Sequence, residues 1–96
     1  MLQFVATPQQ WTELETLAYW IADNAYCIEQ MSREEYKREE YARHDASIKT
    51  SFDVLDKQEV PYWVQNAVIT WAQDWRRKAS EYMDIAMARR NITRTM

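Results

Sequence analysis

Apolar residues recur every three or four positions along most of this chain, and charged residues fill the gaps. The pattern is clearest near the start. Trp11, Leu14, Ala18, Ile21, Ala25 and Ile28 alternate spacings of three and four, the stripe of an amphipathic helix. Leu17, Trp20, Cys27 and Met31 form a second stripe beside it, interrupted by Asn24. Together the stripes exceed the ~100° apolar arc of an ordinary surface helix. A helix this apolar needs neighbours on two sides, so it is expected to be central or to meet a second copy of the chain. Its start is marked by Thr7-Pro8-Gln9-Gln10, a capping box with Pro at the first helical position. The predicted span is 8–31.

The second helix is predicted over 33–57. Ser32-Arg33-Glu34-Glu35 reads as another capping box. Its first half is crowded with charge, and Glu34–Arg38 and Glu39–Arg43 stand at the favourable i,i+4 spacing. Tyr41, Ile48 and Leu55 are seven apart and predict a thin buried seam. A break is expected near Thr50-Ser51. Val60-Pro61 sets the next boundary, because proline pushes the residue before it out of the helical region. A third helix follows over 61–90, with Val64, Val68, Trp71, Ala72, Trp75, Ala79, Tyr82 and Ala86 as its core face. Ile69, Met83 and Met87 lie off that stripe. The polar tail 91–96 is expected to fray. The pattern therefore predicts one all-α domain, a compact three-helix arrangement that completes a helical bundle as a homodimer.

Composition changes this picture in two places. The chain has no glycine. Tight hairpin turns and phosphate-binding loops want glycine, so hairpins are disfavoured and Rossmann and Walker fingerprints are excluded. Cys27 is the sole cysteine, which fits a reducing compartment better than a secreted disulfide scaffold. With no recognisable signal sequence and no apolar run of ~20 residues, the expected location is cytoplasmic, away from membranes.

Charge is uneven. Residues 1–75 carry six basic and thirteen acidic side chains, a net of −7, and residues 76–96 carry a net of +4. The positive end consists of Arg76, Arg77, Lys78, Arg89, Arg90 and Arg94. Cations at a helix C-terminus are favoured by its dipole, which accounts for much of this. The same residues are the candidate surface for nucleic acid.

Candidate chemistry is sparse, and no cofactor is implied. His44 follows Glu40 by four residues, whereas di-iron helices use Glu-x-x-His, twice. The simplest reading is an exposed histidine paired with Glu40, and no metal site is expected. Glu34, Glu35 and Glu39 with Asp53 and Asp56 do not match the carboxylate spacing of Mg²⁺-dependent nucleotide hydrolases. Cys27 reads as a buried structural thiol. The expectation is a small non-catalytic protein-binding module, an inhibitor, adaptor or accessory subunit of the kind phages and mobile elements encode against host defence or nucleic-acid-binding proteins. Its expected contacts are an acidic face of Glu34, Glu35, Glu39, Glu40 and Asp45, with Trp20 and Trp63 as interface aromatics. A dimeric nucleic-acid-binding regulator is the second expectation, and a Mg²⁺-dependent nucleotide hydrolase the third.

Overall fold

A computed structural model describes residues 2–75 and 79–95. Its elements run β1 (Phe4–Ala6), α1 (Pro8–Gln30), α2 (Arg33–Glu39), α3 (Tyr41–Lys57), α4 (Tyr62–Trp75), α5 (Ala79–Ala88) and β2 (Ile92–Arg94). The fold is mostly helical, as the periodicity predicts. Among the described residues it has five helical segments, where three helices are expected, and a small pair of strands.

Helix α1 begins where its cap predicts. The Thr7 hydroxyl accepts from the Gln10 N–H at 3.2 Å, and Gln10 Oε1 accepts from the Thr7 N–H at 2.8 Å. Gln10 Nε2 also donates to the Gln58 carbonyl at 2.9 Å, tying the start of α1 to the end of α3. The helix is central: α3, α4 and α5 all pack on it. Trp11, Leu14, Leu17, Ala18, Ile21 and Ala22 are buried in one continuous core with Leu55, Val64, Val68 and Trp71. The wide apolar face of α1 is thus covered within a single chain, and the sequence argument for a second copy loses its premise. The exception is Ile28, which is 55% exposed.

The break expected at Thr50-Ser51 is absent, and one occurs at Glu40 instead. Thr50 Oγ1 donates to the Ala46 carbonyl at 2.9 Å and Ser51 is buried, so both residues sit comfortably inside α3. A hydroxyl bonded to the carbonyl one turn back lets a helix continue. Glu40 has φ −118° and ψ −29°, which bends the chain while its N–H still reaches the Tyr36 carbonyl. No glycine or proline announces this bend.

Of the helix expected over 61–90, the described residues form α4 and α5. Residues 76–78 and the side chains of Trp75 and Ala79 lie outside the described part. The expected core face holds at Val64, Val68, Trp71, Ala72 and Ala86 and fails at Tyr82, which is exposed. Met83 and Met87, expected off the stripe, are fully buried. The buried face of α5 is set by α1, α4 and β2 around it, so the stripe of α4 does not extend onto it.

The frayed tail is also corrected. Residues 92–94 pair in parallel with residues 4–6, with Phe4 opposite Ile92 and Ala6 opposite Arg94. Ile92 and Ala6 are fully buried, and this apolar anchoring outweighs the polar composition of the tail. Parallel strands need no hairpin turn, so the pair is compatible with a chain lacking glycine. Among the described residues, two occupy the left-handed region where glycine is usual: Glu59 and Asn91, each with φ 61°. After α3 the Val60 N–H donates to the Leu55 carbonyl and the Glu59 N–H to that of Asp56, both at 3.0 Å. This is a Schellman cap built without glycine.

Candidate functional site

The contiguous apolar core stops on α1 at Ala22. Beyond it, α1 is joined to α2 and α3 by polar side chains. Asp23 projects from α1 and His44 from α3, and both are buried. His44 Nε2 lies 2.8 Å from Asp23 Oδ2. On the other side of the ring, Nδ1 lies 2.9 Å from the Glu40 carbonyl oxygen. A carbonyl can only accept, so Nδ1 carries a hydrogen and donates. The bend at Glu40 gives that carbonyl its two partners, the His44 ring and the His44 backbone N–H at 3.0 Å.

Aromatic rings enclose the imidazole. Trp20 meets it edge-on at 5.7 Å between centroids, and Tyr36 stacks near-parallel at 6.4 Å. The Tyr36 hydroxyl donates to Asn24 Oδ1, which fastens α2 to α1. Burial, then the neighbouring Cys27, pushes the Tyr36 phenol up from its ordinary value. Arg43 closes the outer side. It is paired with Glu40, lies 3.9 Å from Asp23 Oδ2 and covers the Trp20 ring at 5.5 Å. The hydrogen bond to Glu40 holds the Arg43 guanidinium more firmly protonated than usual.

Cys27 stands one turn after Asp23, so the two side chains share a face of α1. The ligand atoms of Asp23, Cys27 and His44 all lie within 4.8 Å of one another, and all three residues are buried. No sequence motif brought these residues together. The available signals were an acid and a thiol at i,i+4 on an apolar helix, and a lone histidine one turn after Glu40. His44 is buried rather than exposed, because the Glu40 bend turns α3 so that it faces α1.

The residues expected to form an acidic face are divided. Glu34 and Glu35 open α2; the Glu35 N–H donates to Ser32 Oγ at 3.2 Å, half of the expected capping box, and Glu35 Oε1 accepts from the Ser32 hydroxyl at 3.0 Å. Glu39 approaches Arg38 at 3.7 Å, Glu40 pairs with Arg43, and Asp45 pairs with Lys49 at 3.0 Å. Of the expected interface aromatics, Trp20 is part of the His44 enclosure and Trp63 packs against the core. In the basic group, Arg76, Arg77 and Lys78 lie outside the described residues. Arg90 donates to the Ala86 carbonyl at 2.7 Å, Arg94 is bound to Asp84 at 3.1 Å and covers Trp11, and Arg89 is exposed.

Helix α2 has no buried residue. With the end of α1 and the start of α3 it walls an apolar cleft of about 450 Å³ lined by Ile28, Arg33, Tyr36, Lys37 and Tyr41. Tyr41 is 54% exposed and meets the Tyr36 ring edge-on at 6.3 Å. Neither Arg33 nor Lys37 forms an ion pair among the described residues. No helix among these residues is long and apolar enough to cross a membrane. Compared with protein-family models, with curated proteins and with solved structures, the chain finds no match in any of the three.

Proposed function

We propose that this protein is a small protein-binding module with no chemistry of its own, which seats an acidic segment of another protein, bearing a large apolar side chain, in the cleft beside α2. The observation that carries this reading is that α2 gives nothing to the core yet walls an apolar cleft edged by two cations. A seven-residue helix is marginal alone and needs packing to persist. Tyr36 supplies that packing through Asn24 and His44, and the rest of the helix is left to the surface it offers. Ile28, Tyr36 and Tyr41 supply an apolar floor, and aromatic residues are enriched where partners dock. Arg33 and Lys37 select for carboxylates by charge complementarity. Adaptors, inhibitors and accessory subunits all work through surfaces of this kind.

The acidic residues argue less strongly for a basic partner. Glu39, Glu40 and Asp45 each have a cation of the same chain beside them. The test is selection of peptides from a random display library, followed by fluorescence anisotropy on the winners. Acidic peptides with an aromatic or aliphatic anchor are the expected winners. Ile28→Ala and Tyr41→Ala should each weaken them at least tenfold with little change in melting temperature, since truncating exposed side chains costs little stability. Selection of basic peptides would move the contact to the acidic residues, and selection of none would remove the module reading.

A further inference from the structure

We infer that Asp23, Cys27 and His44 form a binding site for a thiophilic divalent cation, with Zn²⁺ the ion that fits best. The first argument is the donor set. A carboxylate, a thiol and an imidazole converge from two helices, all buried, with their ligand atoms within 4.8 Å of one another. Ligands of a tetrahedral zinc ion sit roughly 2.0–2.3 Å from the metal. Tetrahedral ligand atoms at those radii stand about 3.3–3.6 Å apart, so enclosing one ion asks Cys27 to move inward and the Asp23–His44 pair, at 2.8 Å, to open slightly. Thiolate and imidazole together favour zinc over magnesium or calcium, which prefer oxygen donors alone.

The second argument is the orientation of the imidazole. Nδ1 donates to the Glu40 carbonyl at 2.9 Å, so Nε2 is the atom turned toward Asp23. In the neutral ring Nε2 holds a lone pair, and it lies 2.8 Å from a carboxylate oxygen. At that distance the two atoms share a hydrogen, and a metal ion would take its place as the pair opens. A metal-ligating histidine commonly donates its other ring N–H to a backbone carbonyl. His44 already has that arrangement.

The third argument is charge and place. A Zn²⁺ ion balances the Asp23 carboxylate and a Cys27 thiolate, while Glu40 and Arg43 neutralise each other beside them. Binding releases to solvent the Cys27 thiol proton and any proton shared by Asp23 and His44. Three protein ligands leave one tetrahedral position for water. The ion would sit beyond the last core residue of α1, at Ala22, where apolar packing no longer joins α1 to α3. Its role there is to clamp the two helices that frame the cleft.

The test uses tag-free protein, reduced, stripped with chelator and titrated with Zn²⁺ and then with Co²⁺. The expected result is one equivalent per chain, a higher melting temperature with Zn²⁺, and a thiolate-to-cobalt charge-transfer band with Co²⁺. Cys27→Ala exchanges one small buried side chain for another and leaves the Asp23–His44 pair in place. It should lose the band and weaken Zn²⁺ at least tenfold. His44→Gln and Asp23→Asn should also weaken the metal, and circular dichroism reports whether they fold. Absence of the cobalt–thiolate band, or equal zinc affinity in Cys27→Ala, would show that Asp23 and His44 share only a hydrogen. Ile28→Ala leaves the metal ligands and their charge intact, so failure of the cleft and failure of the metal site are read separately.

Discussion

His44 Nε2 lies 2.8 Å from Asp23 Oδ2, with the histidine 1% and the aspartate 6% exposed. Removing one member of a buried pair strands the other, which typically costs ~3–5 kcal/mol. Asp23→Ala and His44→Ala, measured by urea unfolding in chelator, should each fall near the lower end of that range. The double variant should be less destabilised than the sum, with a coupling of about 1–3 kcal/mol. Additive costs would mean that the two residues act independently.

The strand pair makes a prediction at the opposite end of the chain. Ile92 is fully buried, and Thr93 beside it is exposed. Ile92→Ala should cost about 2–4 kcal/mol, the usual range for emptying a buried aliphatic position. Thr93→Ala should change stability by less than about 0.5 kcal/mol. Equal small effects in a denaturation series would show that the tail is loose in solution.

Glu59 stands at φ 61° in a helix cap that suits glycine. Left-handed backbone costs a residue with a Cβ about 1 kcal/mol. Glu59→Gly should therefore raise stability by somewhat less than that, because glycine also gives the unfolded chain more freedom. The readout is the urea midpoint. A fall would mean that the Glu59 side chain contributes more than its backbone strain removes.

Asp45 and Lys49 form an i,i+4 pair that raises the lysine's pKa through a hydrogen bond and charge. A raised lysine contributes stability that is complete below its ordinary pKa of about 10.5 and is lost as the pH climbs through the folded value. Lys49 is exposed, so solvent screens the pair. Lys49→Gln should leave the neutral-pH midpoint unchanged and slightly flatten its decline under alkaline conditions. A clear loss at neutral pH would indicate that Lys49 does more than pair with Asp45.

Helix starts were legible because capping is local. Thr7 and Gln10, and Ser32 with Glu35, act within four residues of sequence. The core of α1 was legible for a similar reason, since its stripe repeats over many turns. The bend at Glu40 was not, because it depends on what His44 and Tyr36 meet on another helix. Tyr82 and Met83 exchanged expected roles because the exposed side of α5 is set by its neighbours. The pairing of residues 4–6 with 92–94 joins segments nearly the whole chain apart, and no local pattern reports such a contact. The same holds for Asp23 with His44, whose side chains meet only after two helices have packed.

The parallel pairing of β1 with β2 also orders events during synthesis. Phe4 leaves the ribosome before Ile92, its partner in the ladder. Until then the buried side of the first strand has no cover from the last. Closing so long a loop adds little entropic cost beyond that of a moderate one, since the cost grows only with the logarithm of length. It does delay completion of this pair until β2 emerges, and high sequence separation slows folding further. A chain truncated before Ile92 would lack the strand that pairs with Phe4 to Ala6.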